Sequence, residues 1–144
     1  MITIKPLEEI GQDERGATFV FDTDRSGQLI VGHRKAGTIN GRHYHKGAAA
    51  SKNPEELVLM QGRITLNWRT VETGPSGDHF SADSEVAGDA SSGPATSGSL
   101  DITGPAQIRI PAYIWHEILA QTDFVMLELN AAADGKMDTY RIDS

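Results

Sequence analysis

His43 and His45 stand one residue apart in the stretch GRHYHKGAAASKNPEEL, and Glu55 and Glu56 follow a spacer of small residues. Imidazoles and carboxylates bind divalent ions and move protons, so their grouping poses a chemical question. What the histidine pair can do depends on the backbone that carries it. On a helix, residues two apart point roughly 200° away from each other and cannot share one ion. On a strand they point to the same face, about 6.6 Å apart along the backbone. From there both rings can meet one ion at about 2.1 Å. A third histidine, His116, lies far along the chain in PAYIWHEI. The chain has no cysteine, so a metal here must use imidazole, carboxylate or water.

The surrounding pattern favours strands. Short runs rich in β-branched and aromatic residues alternate with Gly, Pro, Asn and Asp, as in a sandwich or barrel. The pattern predicts a strand at 17–22 and an apolar run, LIVG, within 26–41. It predicts two strands in 56–69 joined at Gln61-Gly62, and two more in 106–119 parted by Pro111. Further strands are expected at 123–130 and 136–143. Residues 72–105 are rich in Ser, Gly, Ala, Asp and Thr, a composition too poor in large apolar side chains to offset its ordering entropy. That segment reads as an insert, either a lid or a solvated loop, within one domain spanning 1–144.

A net charge of −7 argues against nucleic acid and anionic membrane surfaces as partners, since both select clustered Lys and Arg. The N-terminal stretch lacks an apolar signal region, so the expectation is a cytoplasmic protein. There is no glycine-rich nucleotide loop and no Ser–His–Asp signature, which leaves a small-molecule ligand or substrate as the expected partner.

Gly37, His43, His45, Glu55 and Gly62 resemble the first motif of the cupin superfamily, G-x5-H-x-H-x3–4-E-x6-G. Pro111 to His116 resembles the second, G-x5-P-x-G-x2-H-x3-N. The spacer from Lys46 to Pro54 is longer than in the motif, and Tyr113 and Ala120 stand where the motif has Gly and Asn. Gly104 lies one residue further from Pro111 than the motif asks. The resemblance implies an all-β fold, a double-stranded β-helix (the RmlC-like cupin jelly-roll barrel). It also implies one divalent metal ion, Zn, Fe, Ni or Mn, held by His43, His45, Glu55 and His116. Glu56 competes with Glu55, but the two face opposite ways on a strand, and the spacing to Gly62 favours Glu55.

A finer similarity covers most of the chain outside the insert. NGRHYHKG, EELVLMQGRITLNWR, IRIPAYIWHEI and DTYRI look like the C-terminal cupin domain of capsular-polysaccharide epimerase/reductases. DERGATFVF is similar to the opening of cupin-type nucleotide-sugar epimerases and ketoisomerases. In the capsular family a metal-assisted cupin domain epimerises a nucleotide-linked keto-sugar, and a reductase domain follows. This chain carries no reductase segment, so it is expected to act alone or with a separate partner.

Three readings follow: a metal-dependent epimerase or isomerase of a carbonyl-bearing small molecule such as a sugar or sugar nucleotide, a metal-dependent dioxygenase, and a non-catalytic small-molecule-binding cupin. Tyr113, Glu128 and Tyr140 are candidate proton-transfer groups, while Tyr44 should face away from the site. Arg42, Arg63, Arg69 and Arg109 are candidate diphosphate contacts. His33 and His79 fall outside the motifs and read as structural or solvated. Trp115 and Leu119, on the strand face opposite His116, suggest a subunit contact and hence a homodimer.

Overall fold

The computed structural model describes residues 1–82 and 94–142. One antiparallel sheet contains β1 (Thr3–Pro6), β10 (Ala106–Ile110), β6 (Glu55–Gln61), β12 (Phe124–Glu128) and β4 (Ile30–Arg34), in that spatial order. The second runs β5 (Ile39–His43), β11 (Ile114–Ala120), β7 (Arg63–Gly74) and β8 (Gly77–Phe80), with β9 (Ser97–Thr103) paired along β7. A separate hairpin, β2 (Glu8–Asp13) with β3 (Gly16–Val20), has every residue exposed. Among the described residues no helix is long and apolar enough to cross a membrane.

Period-two alternation builds the interior. Ile64, Leu66 and Trp68 of β7 point inward, as do Ile114, Ile118 and Ala120 of β11. They meet Leu57, Leu59, Ile108, Ile110, Phe124 and Met126 from the facing sheet. A fully buried Leu, Ile or Phe side chain contributes about 1.5–3 kcal/mol. That floor offsets the cost of burying polar groups above it. His116 sits between Ile114 and Ile118 in the same inward register, so the strand that supplies the core also supplies a polar group.

The turn at Gln61-Gly62 between β6 and β7 stands as expected. Gly62 has φ +104°, and a Cβ there would lie 2.4 Å from the Asp123 carbonyl oxygen, so only glycine fits. Two expectations change. Of the expected strand at 136–143, the described residues 136–142 form none: α1 (Ala132–Met137) occupies the start, and Tyr140 makes an isolated bridge to Tyr44. The local AADGKM run favours a helical turn, closed by the Asp138 amide donating to the Asp134 carbonyl. Within 72–105, β7 continues to Gly74 while β8 and β9 pair with it, so part of the insert is sheet. Backbone pairing with a long existing strand orders these small residues without large apolar side chains. The choice between lid and solvated loop concerns residues 83–93, which lie outside the described residues.

Candidate metal centre

His43 ends β5 directly across from His116 on β11. The pairing steps by one residue between His116 and Glu117, leaving Arg42 as a bulge with φ +61°. Such a bulge re-aims the side chains beside it. Tyr44 stays extended, bridged to Tyr140 by backbone bonds of 3.0 and 2.9 Å, so His45 returns to the side of His43. The two rings lie 4.9 Å apart by their centroids, and His116 is 5.0 Å from His43. Tyr113, where the motif has glycine, keeps the left-handed conformation at φ +61°. Non-glycine residues in that region cost about 1–3 kcal/mol each, and both such residues here flank histidines of the cluster.

Glu55 opens β6 and faces the rings. Its Oε2 lies 2.9 Å from His45 Nε2, and its Oε1 lies 3.3 Å from His116 Nε2. Glu56 is also buried, but on the other side of the strand. There it accepts from the Gln107 side-chain amide at 2.5 Å and lies 3.7 Å from Arg25 and 3.9 Å from Arg109. Strand parity therefore separates the two glutamates as the sequence predicts. The imidazole nitrogens and carboxylate oxygens of His43, His45, Glu55 and His116 all lie within 4.8 Å of one another.

The donor set fits a divalent ion. His45 Nδ1 sits 2.6 Å from the Asp138 carbonyl and His116 Nδ1 sits 3.0 Å from the Ile114 carbonyl. A carbonyl only accepts, so both rings carry a proton on Nδ1, and when neutral they turn an Nε2 lone pair inward. Burial, followed by the His116 charge, pushes His43 down to about 3, so the His43 ring is neutral near pH 7. Burial raises the Glu55 carboxyl, but the His116 and His45 contacts outweigh it and hold the group well below the usual range. His45 Nε2 is buried with no hydrogen-bond partner even though Glu55 is close. Imidazole nitrogens and a carboxylate that converge in this way form a donor set a divalent ion could occupy. Ligand atoms on one ion lie up to about 4.2 Å apart, so sub-ångström side-chain shifts close the set.

Long-range contacts fasten the cluster. Asp138 is fully buried; its carboxylate accepts from the amides of Lys46, Gly47 and Ala49, while its carbonyl orients His45. Thr139 and Tyr140 add a side-chain and a backbone contact, so the DTY segment clasps the HYH segment. The Tyr44 hydroxyl donates to Asp78 of β8, and burial followed by this bond raises the phenol above its usual range. Asp78 also meets Lys46 Nζ at 2.9 Å and the Thr73 hydroxyl at 2.9 Å. Bonds from Tyr44, then Lys46, then Thr73 pull Asp78 down to about 2. Lys52, delivered by the long spacer, reaches Glu55 Oε2 at 2.7 Å from a site as buried as the carboxylate.

Beside the cluster a cavity of about 210 Å³ opens between the sheets, lined by His43, Glu55, His116, Arg34, Asn40 and Glu128 among others. Burial, reinforced by the Glu55 charge, raises the Glu128 carboxyl. Of the three candidate proton-transfer groups only Glu128 lines this space; Tyr113 and Tyr140 pack around Tyr44. None of the four candidate phosphate contacts lines it. Arg42 and Arg69 lie along a shallow groove on the outer sheet face, Arg109 beside Glu56, and Arg63 at the exposed start of β7. Adjacency in sequence to His43 misled for Arg42, because strand alternation turns it outward to Glu117, 3.3 Å away.

Arg34 and Lys52 were not singled out by the sequence, and their signal is contact across the fold; Asp138 opens the DTYRI segment of the resemblance, but its role at His45 shows only in the fold. His33 and His79 lie apart from the cluster. Arg15 and Asp13 of the DERG stretch pair with each other at 2.6 Å on the exposed hairpin. Trp115 is not bare, because Phe80 packs edge-on against it at 5.7 Å.

No family model and no curated protein matches the sequence. Among solved structures, a 3,4-ketoisomerase from Thermoanaerobacterium thermosaccharolyticum, a double mutant in complex with TDP, is similar with TM-score 0.65 and 14% identity. The match covers 98% of this chain and 87% of that one. A dTDP-6-deoxy-D-glucose-3,5-epimerase from Legionella pneumophila Philadelphia 1, in complex with dTDP-4-keto-L-rhamnose, matches with TM-score 0.63 and 16% identity, covering 98% and 72%. A 3′-monoepimerase from Streptomyces bikiniensis, in complex with dTDP-quinovose, matches with TM-score 0.67 and 12% identity, covering 99% and 69%. At these identities the likeness carries the architecture alone, an RmlC-like jelly roll.

Proposed function

We propose that this cupin-fold chain is a sugar-modifying enzyme of the epimerase or isomerase type. Its substrate would be a keto-sugar carried on a nucleotide, and His43, His45, Glu55 and His116 would hold one divalent ion. The observation that carries the reading is the cavity between the sheets, where a second carboxylate, Glu128, faces the histidine–glutamate cluster. Structurally similar proteins named as ketoisomerases and epimerases, in complex with TDP or dTDP-sugars, support the same class. When bound, the ion supplies Lewis acidity for a carbonyl oxygen.

The chain's own residues supply the rest. At about 210 Å³ the cavity is smaller than the roughly 300–1,000 Å³ of drug-sized sites, so it suits one sugar ring with the nucleotide outside. Arg34 offers a guanidinium at the cavity wall. Glu128, whose carboxyl burial raises, accepts the proton on the carbon next to the carbonyl while the C–H electron pair moves onto the carbonyl oxygen. Return of that proton to the other face of the carbon gives the epimer. Return to the former carbonyl carbon, with the hydroxyl proton of the neighbouring carbon passing to the enolate oxygen, gives the ketoisomer.

The test is incubation with TDP-4-keto-6-deoxyglucose in D₂O, followed by proton NMR. Deuterium entering beside the keto group supports the reading. Its absence in metal-replete protein would sink it. Elemental analysis beside His43→Ala tests the ion: iron or copper, with oxygen uptake, would favour the oxidative alternative. A homodimer belongs to the same proposal. A monomeric mass by sedimentation at micromolar concentration would overturn that part.

A further inference from the structure

We propose that Lys52 is a positioning residue that restricts Glu55 to binding an ion through one oxygen and thereby lowers the site's affinity for divalent ions. The inference rests on the metal-centre reading above. Lys52 and Glu55 are both buried, and Nζ lies 2.7 Å from Oε2. Oε2 also lies 2.9 Å from His45 Nε2, whereas Oε1 faces His116 at 3.3 Å with no ammonium beside it, so the two oxygens of one carboxylate have different neighbours. The ammonium arrives from the Lys46–Pro54 spacer, and this accounts for the spacer's extra length over the cupin motif. The Ser51 hydroxyl donates to Asp134 at 2.8 Å and anchors the neighbouring backbone to α1.

A buried carboxylate without a partner is strongly unfavourable, so the ammonium stabilises the ion-free fold. Its positive charge also opposes a second cation on the same carboxylate. Removal of Lys52 therefore weakens the ion-free protein and strengthens the ion complex relative to it.

Metal-stripped wild type, Lys52→Met and Lys52→Arg are titrated with Zn²⁺ and Mn²⁺ by calorimetry, with thermal denaturation in parallel. Lys52→Met should melt lower without metal, gain more in Tm on adding metal, and bind at least tenfold tighter. Lys52→Arg keeps the charge and should stay near wild type; it also keeps the test open if Lys52→Met fails to fold. Wild-type binding with an equal or smaller Tm gain in Lys52→Met, or a tenfold change in Lys52→Arg, would overturn the role of Lys52 and leave the metal centre standing. Lack of binding by all three proteins would overturn both.

Discussion

Glu55 and Glu56 are neighbours on β6 and equally buried, but the two sides of the strand treat them differently. On the outer side, Glu56 has a neutral amide at 2.5 Å and two arginines within 4 Å, partners that compensate a buried carboxylate. On the inner side, Glu55 faces imidazole nitrogens whose far sides are already committed to carbonyls, leaving His45 Nε2 without a partner. A structural carboxylate is satisfied by its surroundings. Glu55 is instead held by Lys52 at 2.7 Å beside that unpartnered nitrogen.

The contrast can be broken most directly by exchanging each carboxylate for its amide. Glu55→Gln should weaken ion binding by more than about 100-fold, beyond the loss typical of residues behind the ligands. Glu56→Gln should leave binding within error and cost about 1–3 kcal/mol of stability, read from urea unfolding. Equal effects on binding would erase the distinction. Glu128→Gln sharpens it from the cavity side: solvent-deuterium exchange into the sugar should fall about 10²–10⁴-fold with ion stoichiometry unchanged. Exchange at the wild-type rate would assign the proton transfer elsewhere.

The smallest effect concerns the outer brace at Asp78. Its carboxyl is lowered from 3.8 to about 2 in the folded state, so its stabilising contribution is fully present above 3.8 and is lost as pH falls through about 2. Wild type should therefore melt above Asp78→Asn near neutral pH, with the gap closing as pH drops across that window. A gap independent of pH would mean that Asp78 contributes through packing alone.

The cluster of His43, His45, Glu55 and His116 was named through the cupin resemblance, and the facing of its members was legible because that information is local. HxH at strand spacing, a glutamate whose neighbour has the opposite parity, and His116 within an alternating strand all follow from a period of two. The turn at Gln61-Gly62 and the break at Pro111 were legible for the same reason, since Gly and Pro impose backbone geometry directly. The last segment was misread because AADGKM turns helical locally while Asp138 to Tyr140 serve a partner some 90 positions away.

Residue types and spacing by themselves determined that the chain would form β-sheet and that His43 and His45 would share a strand face; Glu55 and His116 joined them through the cupin resemblance. Only the tertiary structure decided which residues surround that cluster. It put Lys52 behind Glu55, Glu128 and Arg34 along the cavity, and Arg42 on the outer face. The reason is physical: alternation fixes the direction of a side chain from its immediate neighbours, whereas a contact between distant segments depends on sheet pairing and loop path. No single stretch of sequence carries either.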